Sequence, residues 1–140
     1  MKTRLFTLLL LVWGVVGCSD DDSSQSQKDQ INDAVKSGTW RITYFWDTDH
    51  EETDHFTGYN FTFGDSGVLS ATNGANTYTG TWSVITDSGK TKFIIEFSAP
   101  PDFEELSEDW EIITNTSTKI ELKHVSGGGG GTDYLTFQKN

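Results

Sequence analysis

Thr77-Tyr78-Thr79-Gly80-Thr81-Trp82-Ser83-Val84-Ile85-Thr86 alternates small hydroxyl residues with Tyr78, Gly80, Trp82 and Val84. Successive side chains of a strand point to opposite faces, so this segment carries one face for a core and one for water. Antiparallel sheets expose one face in this way, whereas parallel sheets are covered on both. The segment is bounded by Asn73-Gly74-Ala75-Asn76 before it and Asp87-Ser88-Gly89-Lys90 after it, both hairpin signals.

The same period of two extends outward in both directions. Toward the N-terminus it predicts strands at 39–46, with Trp40, Ile42, Tyr44 and Trp46 on one face, at 58–63, with Tyr59, Phe61 and Phe63, and at 68–72. Toward the C-terminus it predicts strands at 91–98, with Phe93, Ile95 and Phe97 inward, and at 109–114, 118–125 and 133–138. Pro100-Pro101 stops the fifth strand, and 102–107 has room for a single helical turn. Eight strands joined mostly by short turns predict an all-β protein, an eight-stranded antiparallel up-and-down barrel. Closure removes both exposed edges. A Greek-key sandwich would use similar strands. Upstream, Ile31, Ala34 and Val35 share a helical face and predict a short helix within 28–36, while the polar stretch 19–30 reads as a flexible linker.

Residues 5–16 (LFTLLLLVWGVV), behind Lys2 and Arg4, are too few to span a bilayer as a helix but suit the apolar region of a signal peptide. Val15-Val16-Gly17-Cys18 closes the run and resembles the lipobox of bacterial lipoproteins. The resemblance implies a signal peptide at 1–17, diacylglycerol on Cys18, an acidic tether with a short helix at 18–37, and a folded domain at 38–140. Ser19-Asp20-Asp21-Asp22-Ser23-Ser24 resembles the acidic signal that sends some lipoproteins of Gram-negative bacteria to the outer face of the outer membrane. A plain tether facing the periplasm is the alternative.

Cleavage before Cys18 would leave 123 residues, enough for one domain, with eight basic side chains against twenty-one acidic, a net charge of about −13. Such a surface repels phosphate backbones and anionic headgroups, so no nucleic-acid partner is expected and membrane attachment must come from lipid. At about 0.8 kcal/mol per buried CH₂, two or three acyl chains anchor stably where one does not. Cys18 is the single cysteine, so no disulfide can form within the chain.

Gly38-Thr39-Trp40, at the start of the first strand, resembles the Gly-x-Trp signature of lipocalins, in which the tryptophan plugs the closed end of the barrel. Gly80-Thr81-Trp82, the segment Asp133-Tyr134-Leu135-Thr136-Phe137 and the terminal Lys139 extend the resemblance to the lipocalin-like domain of short bacterial surface lipoproteins. The arginine that packs on the signature tryptophan in true lipocalins is absent here, unless Lys139 substitutes for it. The resemblance implies a barrel with one closed and one open end, holding a small hydrophobic or amphipathic ligand.

An eight-stranded barrel is just wide enough either to fill with side chains or to hold one small ligand. Tyr44, Phe61, Tyr78, Trp82, Phe93, Phe97 and Trp110 are the candidate pocket lining, with Gly80, Ser70, Ala71 and Thr136 leaving room toward the open end. The competing expectation is a filled core, with the loops 47–57 and 99–107 and the glycine run 127–131 contacting a protein or glycan. Gly64-Asp65-Ser66-Gly67 resembles a serine-protease motif, but such residues are what a turn requires. The acidic loop 47–57 gathers Asp47, Asp49, His50, Glu51, Glu52, Asp54 and His55, yet lacks the spacing of a calcium loop and a third nearby histidine. It reads as a solvated loop, and His124 as a partly buried sheet residue. No catalytic residue, metal or cofactor is therefore expected, and composition does not fix the oligomeric state.

Overall fold

The computed structural model describes residues 21–140, with side chains from Ser26 onward. Residues 1–20, among them the expected signal peptide 1–17, Cys18 and Asp20, lie outside the described residues. Nine strands follow one helix: α1 (Asp21–Lys36), β1 (Trp40–Asp47), β2 (His50–Glu51), β3 (Asn60–Phe63), β4 (Val68–Thr72), β5 (Thr77–Asp87), β6 (Lys90–Glu96), β7 (Asp109–Asn115), β8 (Lys119–Val125) and β9 (Thr132–Lys139). From β3 to β9 each strand pairs antiparallel with the next, and β9 returns to β1, closing an eight-stranded up-and-down barrel to which the two-residue β2 is added. The sequential order removes the Greek-key alternative.

Turn chemistry fixes the register. Ser88 and Gly89 both have positive φ, 51° and 78°, as a two-residue type I′ hairpin requires. The Asn73 side chain accepts from the N–H groups of Ala75 and Asn76, forming the next hairpin. The seam between β1 and β3 holds a single register pair, Trp40 with Phe61. The rest of that edge of β1 is taken by β2 and by the 3₁₀ turn Thr53–Phe56, whose Thr53 hydroxyl accepts from the Phe45 N–H at 2.9 Å.

Strict alternation fails in β1. The register against β9 shifts between Ile42 and Tyr44, a bulge that gives β1 one extra residue. Trp40, Ile42 and Phe45 are buried, whereas Tyr44 is 38 % exposed and Trp46 half-buried. Tyr44 is therefore not a pocket residue: a one-residue insertion turns every later side chain to the opposite face. Phe45, read from sequence as outward, takes its place.

The helix is longer than 28–36 and covers most of the stretch read as linker. Of its described side chains only Ile31 and Val35 are fully buried, packed with the barrel core, while α1 lies against β3, β5 and β6. That two-residue stripe nucleates the helix on the barrel, and each further turn toward Asp21 then costs little. The hairpin turns at 64–67 and 87–90 and the Thr116–Thr118 turn share this helix end with α1. The loops 47–57, 73–76, 97–107 and 126–131 gather at the opposite, loop end.

The core is mostly aromatic. Trp40, Phe63, Trp82, Phe93 and Phe137 fill the helix end, with Phe63 edge-on to Trp82, Phe93 and Phe137 at 5.5–5.6 Å. Gly80 does not open space beside them. A Cβ there would lie 2.2 Å from the Glu96 carbonyl oxygen and 2.8 Å from Cδ1 of Phe97, so the room expected at Gly80 is already occupied. Gly80→Ala must push β5 and β6 apart and is expected to cost about 1–3 kcal/mol, read as a lowered urea midpoint. An unchanged midpoint would show that the close approach relaxes freely.

Candidate functional site

The loop end is stoppered from within. After β6, Pro100 and Pro101 start the one-turn helix α2 (Pro101–Glu104), whose Phe103 points into the barrel and is 2 % exposed. Its ring lies 5.0–6.0 Å from those of Phe56, Tyr59, Phe61, Tyr78 and Phe97. Leu106, one turn on, is fully buried. The Ser107 hydroxyl ties the segment down, accepting from the Phe97 N–H at 2.8 Å and donating to the Phe97 carbonyl at 3.0 Å.

The proposed pocket residues accordingly become core. Phe61, Tyr78 and Phe97 surround Phe103; Trp82 and Phe93 stack 5.9 Å apart beside Phe63; Trp110 is fully buried, its indole N–H donated to the Leu106 carbonyl. Trp40 is fully buried at the helix end, its indole N–H given to the Val35 carbonyl at 2.9 Å, with Lys139 Nζ 5.1 Å from its ring centroid. Gly38 precedes it at φ 80°, where an L side chain is strained. An open groove of about 650 Å³ lies outside the barrel, along Thr79, Thr81, Ile94, Glu96 and Asp109.

Around the stopper runs an acidic rim. His50 lies between two carboxylates, Nδ1 at 2.5 Å from Asp49 and Nε2 at 2.6 Å from Glu52 Oε1, and these hydrogen bonds, Asp49 first, raise its pKa. The other Glu52 oxygen, Oε2, is buried and has no donor among ionised neighbours. It faces the Glu105 carboxyl, which burial, contact with Glu52 and the nearby Asp47 charge push up to about 7. The Glu105 contact in turn holds Glu52 below the ordinary carboxylate range. Ionising both is unfavourable, because two like charges then face each other with no cation between them. His55 completes the group, its Nδ1 3.9 Å from both Glu52 Oε2 and Asp102. A second group, Glu108, Asp109 and His124, already has a cation beside it: Lys92 sits 2.6 Å from Asp109, and both His124 nitrogens lie 3.3–3.4 Å from carboxylates.

A carboxyl whose folded pKa is raised gives its full stabilisation below the unfolded value and loses it as pH rises through the folded one. For Glu105 that window runs from its ordinary value of 4.5 to about 7. In chelator-treated protein, Glu105→Gln should therefore compare more favourably with wild type at pH 8 than at pH 5. Paired urea titrations check this; an equal difference at both pH values would show that Glu105 ionises freely. The effect is small, since Glu105 is largely exposed and water screens it.

Sequence reading missed Phe103, Leu106, Ser107 and Glu105. Phe103 and Leu106 stand at i and i+3 between a proline pair and a strand, a signal for a buried turn. Nothing in sequence places Glu105 beside Glu52.

No protein-family model matches the chain, and no curated protein does. The barrel does have a structural likeness. The crystal structure of a DUF4847 family protein from Bacteroides vulgatus superposes with a TM-score of 0.52 at 20 % identity, covering 79 % of this chain and 97 % of that one. At that identity the likeness is one of fold.

Proposed function

We propose that this protein is a lipid-anchored lipoprotein of the outer membrane, displayed at the cell surface, whose barrel is a rigid scaffold presenting its loop end to a protein or glycan partner. One observation carries the reading against a carrier of small molecules: the interior is filled, with Phe103 seated among five other rings. The polarity of the molecule supports it. The chain enters at the helix end, α1 beginning three residues after Cys18, while the acidic rim lies at the opposite end. A lipid on Cys18 would point that rim away from the membrane. The role is one of binding rather than catalysis.

A second reading, a small hydrophobic or amphipathic ligand, has one feature in its favour. The ring that stoppers the loop end belongs to a connection rather than a strand, so it could leave without unpairing the sheet. Displacement of a fluorescent fatty acid separates the two. Wild type that takes up no probe supports the scaffold; stoichiometric uptake supports the carrier.

Placement is tested on intact cells. Cys18→Ser should move the protein out of the detergent phase. Protease shaving should cleave wild type but not a variant with Asp20, Asp21 and Asp22 replaced by alanine. Equal protection of both would place the domain in the periplasm, and equal cleavage would show that the acidic run is not the export signal.

A further inference from the structure

We propose that Glu52, His55 and Glu105 bind a divalent transition-metal cation, zinc being the ion that suits them best, at the loop end of the barrel. One donor atom from each lies within 4.8 Å of the others. Tetrahedral donors around zinc stand about 3.3–3.6 Å apart, so side-chain movements of about an ångström would close the set. They come from two elements: Glu52 caps the 3₁₀ turn Thr53–Phe56, His55 lies within it, and Glu105 caps α2. His55 and Glu105 stand one and two residues from the buried anchors Phe56 and Phe103, whose rings meet edge-on at 5.3 Å, and Glu52 stands at the start of the turn that carries Phe56.

The arrangement lacks positive charge where it most needs it. Glu52 Oε2 has lost its water and has no donor, and the Glu52 side chain is only 14 % exposed. No lysine or arginine is paired with Glu52 or Glu105 among the described residues, and His50 serves the other Glu52 oxygen. Two carboxylates pressed together need a proton or a cation between them. The imidazole of His55 on the third side selects among cations, because nitrogen with two carboxylates suits zinc and disfavours calcium and magnesium, which prefer six or more oxygens. His55 and Glu105 are solvent-exposed, which leaves a fourth position for water or for a donor from a partner.

The companion group at Glu108, Asp109 and His124 serves as the internal control, since Lys92 already pairs with its Asp109. Tag-free protein, stripped with chelator and titrated with zinc chloride by calorimetry near pH 7.5, should bind one Zn²⁺ per chain, and calcium chloride should give no heat of binding. Glu105→Gln and His55→Ala should each weaken zinc at least tenfold while keeping the wild-type circular dichroism spectrum, and His124→Ala should leave it unchanged. No saturable binding by folded wild type overturns the proposal. So does binding that survives the His55→Ala, Glu105→Gln double substitution or that is lost with His124→Ala.

Discussion

Trp40→Ala is expected to lower the free energy of unfolding by about 3–5 kcal/mol, the range for removing a fully buried large aromatic side chain. Trp40 is fully buried where α1, β1 and β9 meet, and its indole N–H is the only side-chain link from the barrel to the α1 backbone among the described hydrogen bonds, donated to Val35. Truncation therefore leaves a void under the helix and an unpaired carbonyl at the end of it, and both act in the same direction. Two milder variants divide the effect. Trp40→Phe keeps most of the buried area but loses the hydrogen bond, so it should cost less than Trp40→Ala by a clear margin. Lys139→Ala removes a half-buried side chain whose cation sits above the ring, a contact of about 0.5–1 kcal/mol. Urea unfolding followed by tryptophan fluorescence and by far-UV dichroism measures all three. A loss below about 1 kcal/mol for Trp40→Ala would mean that the barrel does not need its plug, and the likeness to a lipocalin end would go with it.

The strands were legible because each carries its own evidence. In β5 and β6 the alternation of Trp82 and Val84, and of Phe93, Ile95 and Phe97, is a local property that survives into the burial of the folded chain. Up-and-down order followed from the short turns between strands. What failed in β1 was a single inserted residue. Nothing local distinguishes Thr43 in a bulge from Thr43 in a regular strand, because the shift is set by how β1 meets β9 across the closing seam. The helical residues 21–27 were missed for a related reason. Their polar composition gives no helical signal, and they are helical because Ile31 and Val35 dock on the barrel end.

The loop end was the least legible part, because its features depend on pairs distant in sequence. The loop 47–57 showed its carboxylates and histidines plainly, but the partner that gives Glu52 its buried, donorless oxygen is Glu105, 53 positions away. The aromatics were likewise visible as a set, and the sequence could not decide between lining and filling. That decision turns on one side chain from a connection. Phe103 occupies the space the strand aromatics would otherwise have bounded.

Phe103→Ala is accordingly the most informative core substitution. It should cost about 3–5 kcal/mol, since it deletes a ring seated among those of Phe56, Tyr59, Phe61, Tyr78 and Phe97. The fold should persist, because Leu106 and the two Ser107 hydrogen bonds still hold the connection over the barrel mouth. Engineered apolar cavities of this kind stay dry and accept benzene-sized molecules. Benzene or indole should therefore raise the melting temperature of Phe103→Ala and leave wild type unmoved. If wild type responds as strongly as the variant, α2 already swings aside in the native protein and the carrier reading replaces the scaffold. If the substitution costs less than about 1 kcal/mol, Phe103 is not part of the folded core, and the filled barrel on which the scaffold rests is lost.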